Sequence, residues 1–329
     1  MIRRIFVLCF LLLTVFLFTS FPGAAQQAKT TYRIGYISNR TGIGGNEEAL
    51  RRGLHDLGYV EGENLIIEWR FTSARLDRFP EVAAELVRLK VDCIVTVGLV
   101  ASRAAKEATS TIPILMANVS DDPVHHKLID SLARPGGNIT GFTDIAHDLA
   151  GKRLELLKET LPKASRMAVL WYSASPVAAK QFQETELAAR LLGLRIQSLE
   201  LRSAENLDHA FQTASKQHAE ALIAVSFGGL FSNNRDRVVN LATKNHLPVM
   251  YTTSGFVEAG GLMSYSPDSR DRIRRAAFYV DRILKGAKPA DLPVEQPTRF
   301  HLIINLNAAR QIRLTIPPNV LARADRVIR

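Results

Sequence analysis

Cysteine is scarce in this sequence, and the scarcity excludes a fold held together by disulfides. The two cysteines among 329 residues are Cys9 and Cys93. Cys9 lies in an apolar N-terminal segment, whereas Cys93 lies in the apolar run of residues 91–97, where a small buried side chain is expected. Once the N-terminal segment is removed, Cys93 has no second cysteine to pair with. A small disulfide scaffold is therefore excluded.

Long basic runs are missing as well, although the chain is basic overall. It has 42 Lys and Arg residues against 32 Asp and Glu residues, which gives a formal net charge of +10. The basic residues are dispersed along predicted helices, as expected of solvated helix faces, and are not gathered in a patch. We therefore expect no nucleic-acid partner.

The common catalytic motifs are absent too. The sequence contains neither G-x-S-x-G nor H-E-x-x-H. A glycine-rich turn at residues 42–45 loosely resembles a dinucleotide fingerprint, but Glu47 occupies the third glycine position, and its charge would repel a pyrophosphate. His125 and His126 are adjacent and cannot direct both rings at one metal ion. We expect no enzyme, no cofactor and no metal, and keep a periplasmic enzyme with a Rossmann-like fold as a minor alternative.

The N-terminus is typical of a cleavable signal peptide. Residues 1–4 are basic at Arg3 and Arg4, residues 5–21 are apolar, and residues 23–25 are small. Cleavage is predicted after Ala25, which makes residues 1–25 the signal peptide. Gln26 follows, so the cysteine that lipid attachment needs is not there. An uncleaved membrane anchor is the alternative. No later apolar run is long enough to span a membrane, so we expect a soluble exported protein.

Alternating strand and helix patterns after residue 31 predict an α/β fold with parallel sheets. The length exceeds that of one usual core, so two doubly wound lobes are expected. Residues 32–142 plus about 256–287 are assigned to the N-terminal lobe, and residues 143–255 plus about 288–329 to the C-terminal lobe. Three crossings near Phe142, Gly255 and Lys288 would form a hinge beside a cleft that closes on a ligand.

The stretch of residues 118–142 is the richest in candidate site residues. It combines a strand end, an acidic turn, a helix predicted from Pro123 to Arg134 and a new strand at Ile139. Because ligands of open α/β sheets bind at strand carboxyl ends, Asp121 or Asp122 could pair with a ligand ammonium group. Either could instead cap the helix, and Asp122 is the better placed for that. Thr140 could contact a ligand or only satisfy backbone groups of the hinge.

Further candidates follow other predicted strands. Ser38 and Asn39 end the first strand, and Gly98 opens a helix whose N–H groups could hold a carboxylate. The alternative for these three is an ordinary strand-to-helix turn. Aromatic side chains at the ends of strands in the second lobe could stack on a ligand ring or be packing residues. These are Tyr172, Phe227 and Tyr251.

Several long stretches of the chain resemble one known family. They are residues 53–70, 82–98, 258–325 and 122–142, the last reading DPVHHKLIDSLARPGGNITGF. The sequence is identified from them as similar to ABC-transporter substrate-binding proteins, relatives of tryptophan- and tyrosine-type amino-acid binders. It departs from the family pattern at residues 125–127, where small residues are usual, and at residues 171–173, where the family commonly has Asn-Pro.

The resemblance implies a fold and a set of partners. The fold is that of type I periplasmic binding proteins, with two Rossmann-like lobes joined by three crossovers. The implied function is capture of a small-molecule solute, an amino acid being one candidate, and its delivery to an inner-membrane ABC permease with its ATPase, without chemical reaction. A monomer in the periplasm is expected. A binding protein that serves a membrane sensor is the alternative.

Overall fold

The computed structural model describes residues 31–144, 149–225 and 229–329, although for residues 269–271 it describes only the backbone. The predicted signal peptide, residues 1–25, and the candidate Phe227 lie outside the described residues. Among the helices of the described part, none is both long enough and apolar enough to cross a membrane.

The first lobe is built on a five-stranded sheet in which all neighbouring strands are parallel. Its strands lie in the order β2-β1-β3-β4-β5. Four of the five have several consecutive buried residues, as expected of parallel strands with both faces covered. The strands are β1 (Tyr32–Ser38), β2 (Leu65–Phe71), β3 (Cys93–Val97), β4 (Ile114–Val119) and β5 (Ile139–Thr143); the helices between them are α1 (Gly45–Asp56), α2 (Phe79–Arg88) and α3 (Leu99–Ala108).

The second lobe has a seven-stranded sheet in the order β12-β11-β10-β9-β8-β6-β7. Its strands are β6 (Arg166–Tyr172), β7 (Arg195–Leu201), β8 (Ala221–Ala224), β9 (Val249–Tyr251), β10 (Met263–Pro267), β11 (Phe300–Asn305) and β12 (Arg326–Ile328). The helices of the rest of the chain are α4 (Ala150–Thr160), α5 (Pro176–Leu191), α6 (Leu207–Lys216), α7 (Gly229–Asn233), α8 (Arg235–Lys244), α9 (Ser254–Glu258), α10 (Ser269–Leu284), α11 (Leu306–Gln311) and α12 (Pro318–Leu321). The expectation of parallel sheets is confirmed, with one exception: β10 and β11 are antiparallel.

Helix α10 returns to the first lobe and completes its core. The apolar stripe of α10 packs with Leu50 and Leu54 of α1 against the strands. The members of that stripe are Ile273, Ala276, Ala277, Val280 and Ile283. A sequence with apolar residues at this spacing forms an amphipathic helix, and burial of the apolar face stabilises it. Because α10 follows a strand of the second lobe, it leads the chain back across the cleft.

The crossings differ in position from those predicted. Strand β10 belongs to the second sheet, so the second crossing lies at Asp268, between β10 and α10, and not near Gly255. The third lies after Glu295, because Glu295 still bonds to β5 of the first lobe, with its N–H donating to the carbonyl of Gly141 at 2.9 Å. Lys288 therefore precedes the crossing. The first crossing follows Thr143, the last residue of β5 in the first sheet. Local patterning located the strands, but only strand pairing shows to which sheet each one belongs.

The helix predicted from Pro123 to Arg134 does not form. Residues 123–127 form turns and residues 128–135 form no regular element, and Lys127 has a left-handed backbone with a φ of 54° that interrupts any helix. The carbonyl of Pro123 accepts hydrogen bonds from the N–H groups of Leu128 and Ile129, at 2.8 and 3.4 Å. Leu128 and Ile129 are nonetheless buried against the first lobe. The apolar spacing was thus a sign of burial, not of a helix.

Candidate functional site

A cleft lies between the lobes at the carboxyl ends of both sheets, where ligands of open α/β sheets bind. From the first lobe it is lined by residues that follow β1, β3 and β4, among them Asn39, Gly98 and Ser120. From the second lobe it is lined by residues at the ends of β9 and β10, including Thr252, which follows β9, and Pro267, which ends β10. The cavity measures about 250 Å³. Its lining is rich in charged and hydroxyl groups, so it suits a polar solute.

A smaller, more apolar compartment adjoins it. This second cavity measures about 80 Å³ and shares four lining residues with the first, so the two are parts of one cleft. Its walls come from the first lobe through residues such as Phe79 and Leu99, and from the second lobe through Tyr172 and Val177. A solute that fills both compartments would have a polar part and an apolar part.

Three charged side chains lie on the wall of the larger cavity, and two of them, Asp144 and Arg153, are buried. Asp144 follows β5 and is only 8 % exposed. Nη1 of Arg272, on α10, lies 3.3 Å from Oδ2 of Asp144. Arg153, on α4, is 1 % exposed; its Nε donates to the carbonyl of Tyr265 at 2.9 Å, and its Nη1 lies 3.4 Å from Oε1 of Gln181. The carboxylate of Asp144 thus pairs with Arg272, and its charge also acts on Arg153.

Burial shifts the pKa values of Asp144 and Arg153. Desolvation raises the pKa of Asp144 despite the opposing charges of Arg272 and Arg153. It also lowers the pKa of Arg153 to about 10, and the charge of Asp144 opposes this shift. Both shifts have the sign expected of charges removed from water. An excess positive charge in such a place favours a negatively charged neighbour.

Arg40 follows β1 and lies at the rim of the cleft beside Glu47. Its Nε is 3.7 Å from Oε2 of Glu47, which is fully buried. Glu47 is itself held by two donors, the hydroxyl of Tyr36 at 2.8 Å and the backbone N–H of Gly44 at 2.9 Å. The glutamate thus occupies the N-terminus of α1.

Arg235, at the start of α8, lies on the opposite side of the cleft. Its guanidinium carbon is 5.6 Å from the centre of the Phe256 ring, within cation–π distance. Phe256 stacks in turn on Tyr251, with ring centres 4.9 Å apart and an interplanar angle of 9°. The two rings therefore form a rigid support beneath the arginine.

The first-lobe candidates at strand ends lie in the cleft. Ser38 and Asn39 line the larger cavity together with Gly98, and Asn39 and Gly98 also line the smaller one. Gly98 has a φ of 96°, which favours glycine, and its N–H donates to the carbonyl of Asn118 at 2.7 Å. That N–H is therefore already bonded within the protein and is not directed at a ligand.

The acidic turn is engaged with the protein itself. Oδ2 of Asp121 accepts a hydrogen bond from Nε2 of His126 at 2.8 Å, and its Oδ1 lies 3.4 Å from Nζ of Lys180 on α5. The carboxylate of Asp122 accepts from the N–H of Val124 at 2.9 Å, so Asp122 caps a turn. Neither residue lines the cavities described above. The ammonium group beside Asp121 belongs to Lys180 of the other lobe.

Two other candidates lie away from the cavity walls. Thr140 is fully buried, and its hydroxyl donates to the carbonyl of Leu292 at 2.5 Å, within the segment that approaches the third crossing. Tyr251 is also fully buried, in the apolar core of the second lobe. Burial raises its pKa. Thr140 thus bonds to a backbone group of the hinge, and Tyr251 is a packing residue that supports Phe256. These are the alternatives to ligand contact that the sequence analysis gave for the two residues.

The charged wall of the cleft was not predicted. Arg40 had a usable signal, since it lies two residues beyond the end of β1, where the strand-end rule applies. Arg153 had a weaker signal as an arginine in the first turn of a helix beside the buried leucines of α4. Arg235 and Arg272 had none. In the described part of the chain, no group of three metal-ligating side chains converges.

The lobes touch each other along one edge of the cleft. A Cβ atom at Gly229 would lie 2.1 Å from the carbonyl oxygen of Asn39, so the backbones of the two lobes meet there. Nearby, the N–H of Thr41 donates to Oδ1 of Asn233 at 3.3 Å. The ion pair of Asp121 with Lys180 adds a third contact between the lobes.

Two α/β lobes with a polar cleft at their facing sheet ends define a solute-binding protein of the periplasmic-binding-protein class. The family model described as ABC transporter substrate binding protein matches residues 41–328, and the chain belongs to this family. Members of this family bind solutes and are not enzymes, and their partners are a small-molecule ligand and an ABC transporter.

Known proteins support this assignment. A tyrosine-binding protein of Clostridioides difficile is 28% identical over 255 residues, which cover 77% of this chain and 72% of that protein. The structure of a conserved domain protein from Vibrio cholerae has a TM-score of 0.81 at 26% identity, with 91% of this chain and 99% of the other covered. An ABC domain from Streptococcus pneumonia in complex with L-Trp has a TM-score of 0.76 at 26% identity, with 90% and 100% covered.

Proposed function

We propose that this protein is exported, captures a small polar solute in the interlobe cleft and delivers it to an ABC importer. The observation that carries the proposal is the cleft itself, whose walls come from both lobes and meet at the carboxyl ends of both sheets. Three chain crossings on one side leave the lobes free to rotate about them. A solute that contacts both lobes favours the closed arrangement through the contacts that closure adds.

An amino acid is the first solute to test, because similar proteins are a tyrosine-binding protein and an ABC domain in complex with L-Trp. The polar compartment suits the charged groups of an amino acid, and the apolar compartment suits an apolar side chain. Thermal-shift screening of the purified protein with the common amino acids is the direct test. A ligand at a hundred times its dissociation constant should stabilise the protein by about 2.7 kcal/mol. Mass spectrometry of co-purified small molecules would widen the search.

Delivery to an importer needs a test of its own. The permease and ATPase partners would be reconstituted in proteoliposomes, with this binding protein added either in the lumen or outside. ATP-dependent uptake of the solute would then be measured. Uptake should require the protein on the side from which solute enters. Uptake that is equally fast without it would contradict delivery. Light scattering of the same preparation tests the expected monomer.

Export is predicted from the first 25 residues, with cleavage after Ala25. Intact-mass analysis of the periplasmic fraction should give a chain that begins at Gln26. A mature protein that retained residues 5–21 would instead indicate a membrane anchor.

A further inference from the structure

If the protein captures a solute as proposed, the charges of the cleft decide which solutes it accepts. Four arginines line the larger cavity against two carboxylates. The arginines are Arg40, Arg153, Arg235 and Arg272, and the carboxylates are Asp144 and Glu258. An unbalanced positive charge in a partly desolvated cavity is unfavourable unless an anion enters.

The two carboxylates are already engaged. Asp144 is paired with Arg272 at 3.3 Å and also feels the charge of Arg153. Glu258 is paired with Arg326, whose Nη1 lies 3.3 Å from Oε1. A ligand ammonium group would have to compete with a guanidinium group for either one. The acidic turn is not an alternative, because Asp121 and Asp122 lie outside the lining of the cavity.

Arg235, by contrast, forms no ion pair with a carboxylate among the residues that the structure describes. Its Nε is buried and has no hydrogen-bond partner in the described part of the structure. Burial lowers the pKa of Arg235 and the charge of Arg40 lowers it further, while the charges of Asp236 and Glu258 oppose the shift. The two guanidinium groups line the same cavity, one from each lobe. Such a pair is stabilised when an anion binds between them.

The charge of Arg40 is only partly balanced by a carboxylate, that of Glu47. Its Nε is 3.7 Å from Glu47, which is too far for a hydrogen bond, and this Nε is also buried without a hydrogen-bond partner among the described residues. Glu47 is meanwhile fully buried and accepts from Tyr36 and Gly44. Arg40 is thus held in place by Glu47 but keeps donors for another acceptor.

Glycine lies beside each of these guanidinium groups. A Cβ atom at Gly44 would be 2.3 Å from Nη2 of Arg40, and one at Gly255 would be 3.1 Å from Nη2 of Arg235. Both arginines therefore rest against backbone without a side chain between them. The two positions are supported independently, one by Glu47 and the other by the ring of Phe256.

We propose that Arg40 and Arg235 together bind a carboxylate group of the solute, and that the protein is therefore specific for small carboxylic acids, amino acids included, and rejects amines that lack a carboxylate. The carboxylate joins the lobes, because one arginine comes from each. The apolar part of the solute then occupies the smaller compartment, beside Phe79 and Tyr172.

Matched probes separate the charges of the solute. L-Tyrosine, 3-(4-hydroxyphenyl)propionate and tyramine share one ring and differ in their charged groups, and L-tryptophan, 3-indolepropionate and tryptamine form a second such set. Calorimetric titration of the full mature protein should detect the acid and the amino acid of at least one set. The amine of that set should bind at least about 100-fold more weakly, as expected for loss of charge-assisted hydrogen bonds.

Variants test the two arginines. Arg235→Gln and Arg40→Gln should each weaken binding of the carboxylates by about 10- to 100-fold. Arg237→Gln is the matched control, because Arg237 lies on the same helix, is exposed and pairs with Asp208; it should bind like the wild type. Circular dichroism melting of each variant shows that the fold is intact, and Arg235→Lys should restore part of the affinity by keeping the charge.

Three results would overturn the carboxylate site: an amine that binds as tightly as its acid, carboxylate binding unchanged in both glutamine variants, or no binding by any carboxylate in either set and in a wider panel of small carboxylic acids. If an amine binds and closes the lobes, the solute-binding function stands and only the carboxylate site fails. If no small molecule of any charge closes the lobes, the proposed function fails with it.

Discussion

At the residue scale, Asp121 links the two lobes through charge. Burial alone would raise its pKa, but the hydrogen bonds from His126 and from the N–H of Asp122, with the charge of Lys180, bring the pKa below its usual value. A carboxyl group whose pKa is lower in the folded state stabilises that state above its unfolded pKa of about 4. This stabilisation is lost as the pH falls through the lower folded-state pKa.

We therefore expect Asp121→Asn to lower the free energy of unfolding at pH 7 by about 1–3 kcal/mol, because His126 and Lys180 lose a charged partner. Thermal melting from pH 7 to pH 3 should show a weaker pH dependence in the variant. Asp122→Asn is the control, since asparagine still offers an acceptor to the N–H of Val124. Identical pH profiles for Asp121→Asn and the wild type would show that the carboxylate is not stabilising.

At Gly229 the backbones of the two lobes lie in close contact. A methyl group there would lie 2.1 Å from the carbonyl oxygen of Asn39 and 3.2 Å from Cβ of Ala74, both in the first lobe. Gly229→Ala should thus oppose closure by about 1–3 kcal/mol and weaken solute binding about 10- to 100-fold. Its melting temperature without solute should be nearly unchanged.

Gly151→Ala is the control for that substitution. Gly151 is also helical and in the same lobe, but its added Cβ would meet only Ala188 at an ordinary 3.6 Å. It should bind solute like the wild type. A Gly229→Ala variant with unchanged affinity would mean that solute binding does not require this contact between the lobes.

At the scale of elements, α10 links the core of the first lobe to the cleft. It packs against α1 where Gly53 faces Ala277, so closely that a Cβ at Gly53 would lie 2.8 Å from Cβ of Ala277. The same helix carries Arg272, which pairs with Asp144 on the cavity wall. A shift of α10 should therefore change both stability and binding.

Ala277→Leu should lower the free energy of unfolding by about 1–3 kcal/mol through overpacking at this contact. Solute affinity should fall as well, since Arg272 moves with the helix. Phe278→Ala is the control on the same helix, because Phe278 is 51% exposed. Chemical denaturation and titration of both variants test the point. If Ala277→Leu lost stability but kept full affinity, α10 would have a structural role only.

At the scale of the whole molecule, the three crossings have the same role, because each leads the chain from one sheet to the other. Small-angle scattering with and without the identified solute should show a smaller radius of gyration at saturation, because the bound solute favours the closed lobes. Truncation of the Tyr172 side chain, which lines the smaller compartment, should weaken capture of the solute and make the decrease in the radius of gyration smaller. An unchanged radius at saturation would remove the closing mechanism and leave the fold assignment intact.

Much of the fold follows from local sequence pattern. Strand β1 ends at Ser38, where the sequence predicts the end of the first strand, and the stripe containing Ile273, Ala277 and Val280 forms the buried face of α10. Apolar runs and spacings act between near neighbours, so they can be read directly. The prediction of a helix within residues 122–135 was wrong because Leu128 and Ile129 are buried without being helical, and burial alone does not require a helix.

The sequence by itself determined two α/β lobes, their elements and the strand ends at which a site should lie, because periodicity and turn residues are local. Only the tertiary structure decided that Asp121 bonds to Lys180 while Arg40 and Arg235 line the cleft. These residues come from opposite lobes and are far apart in the chain. No local pattern fixes the direction in which such side chains extend, because that direction depends on which strands pair and on how the lobes meet.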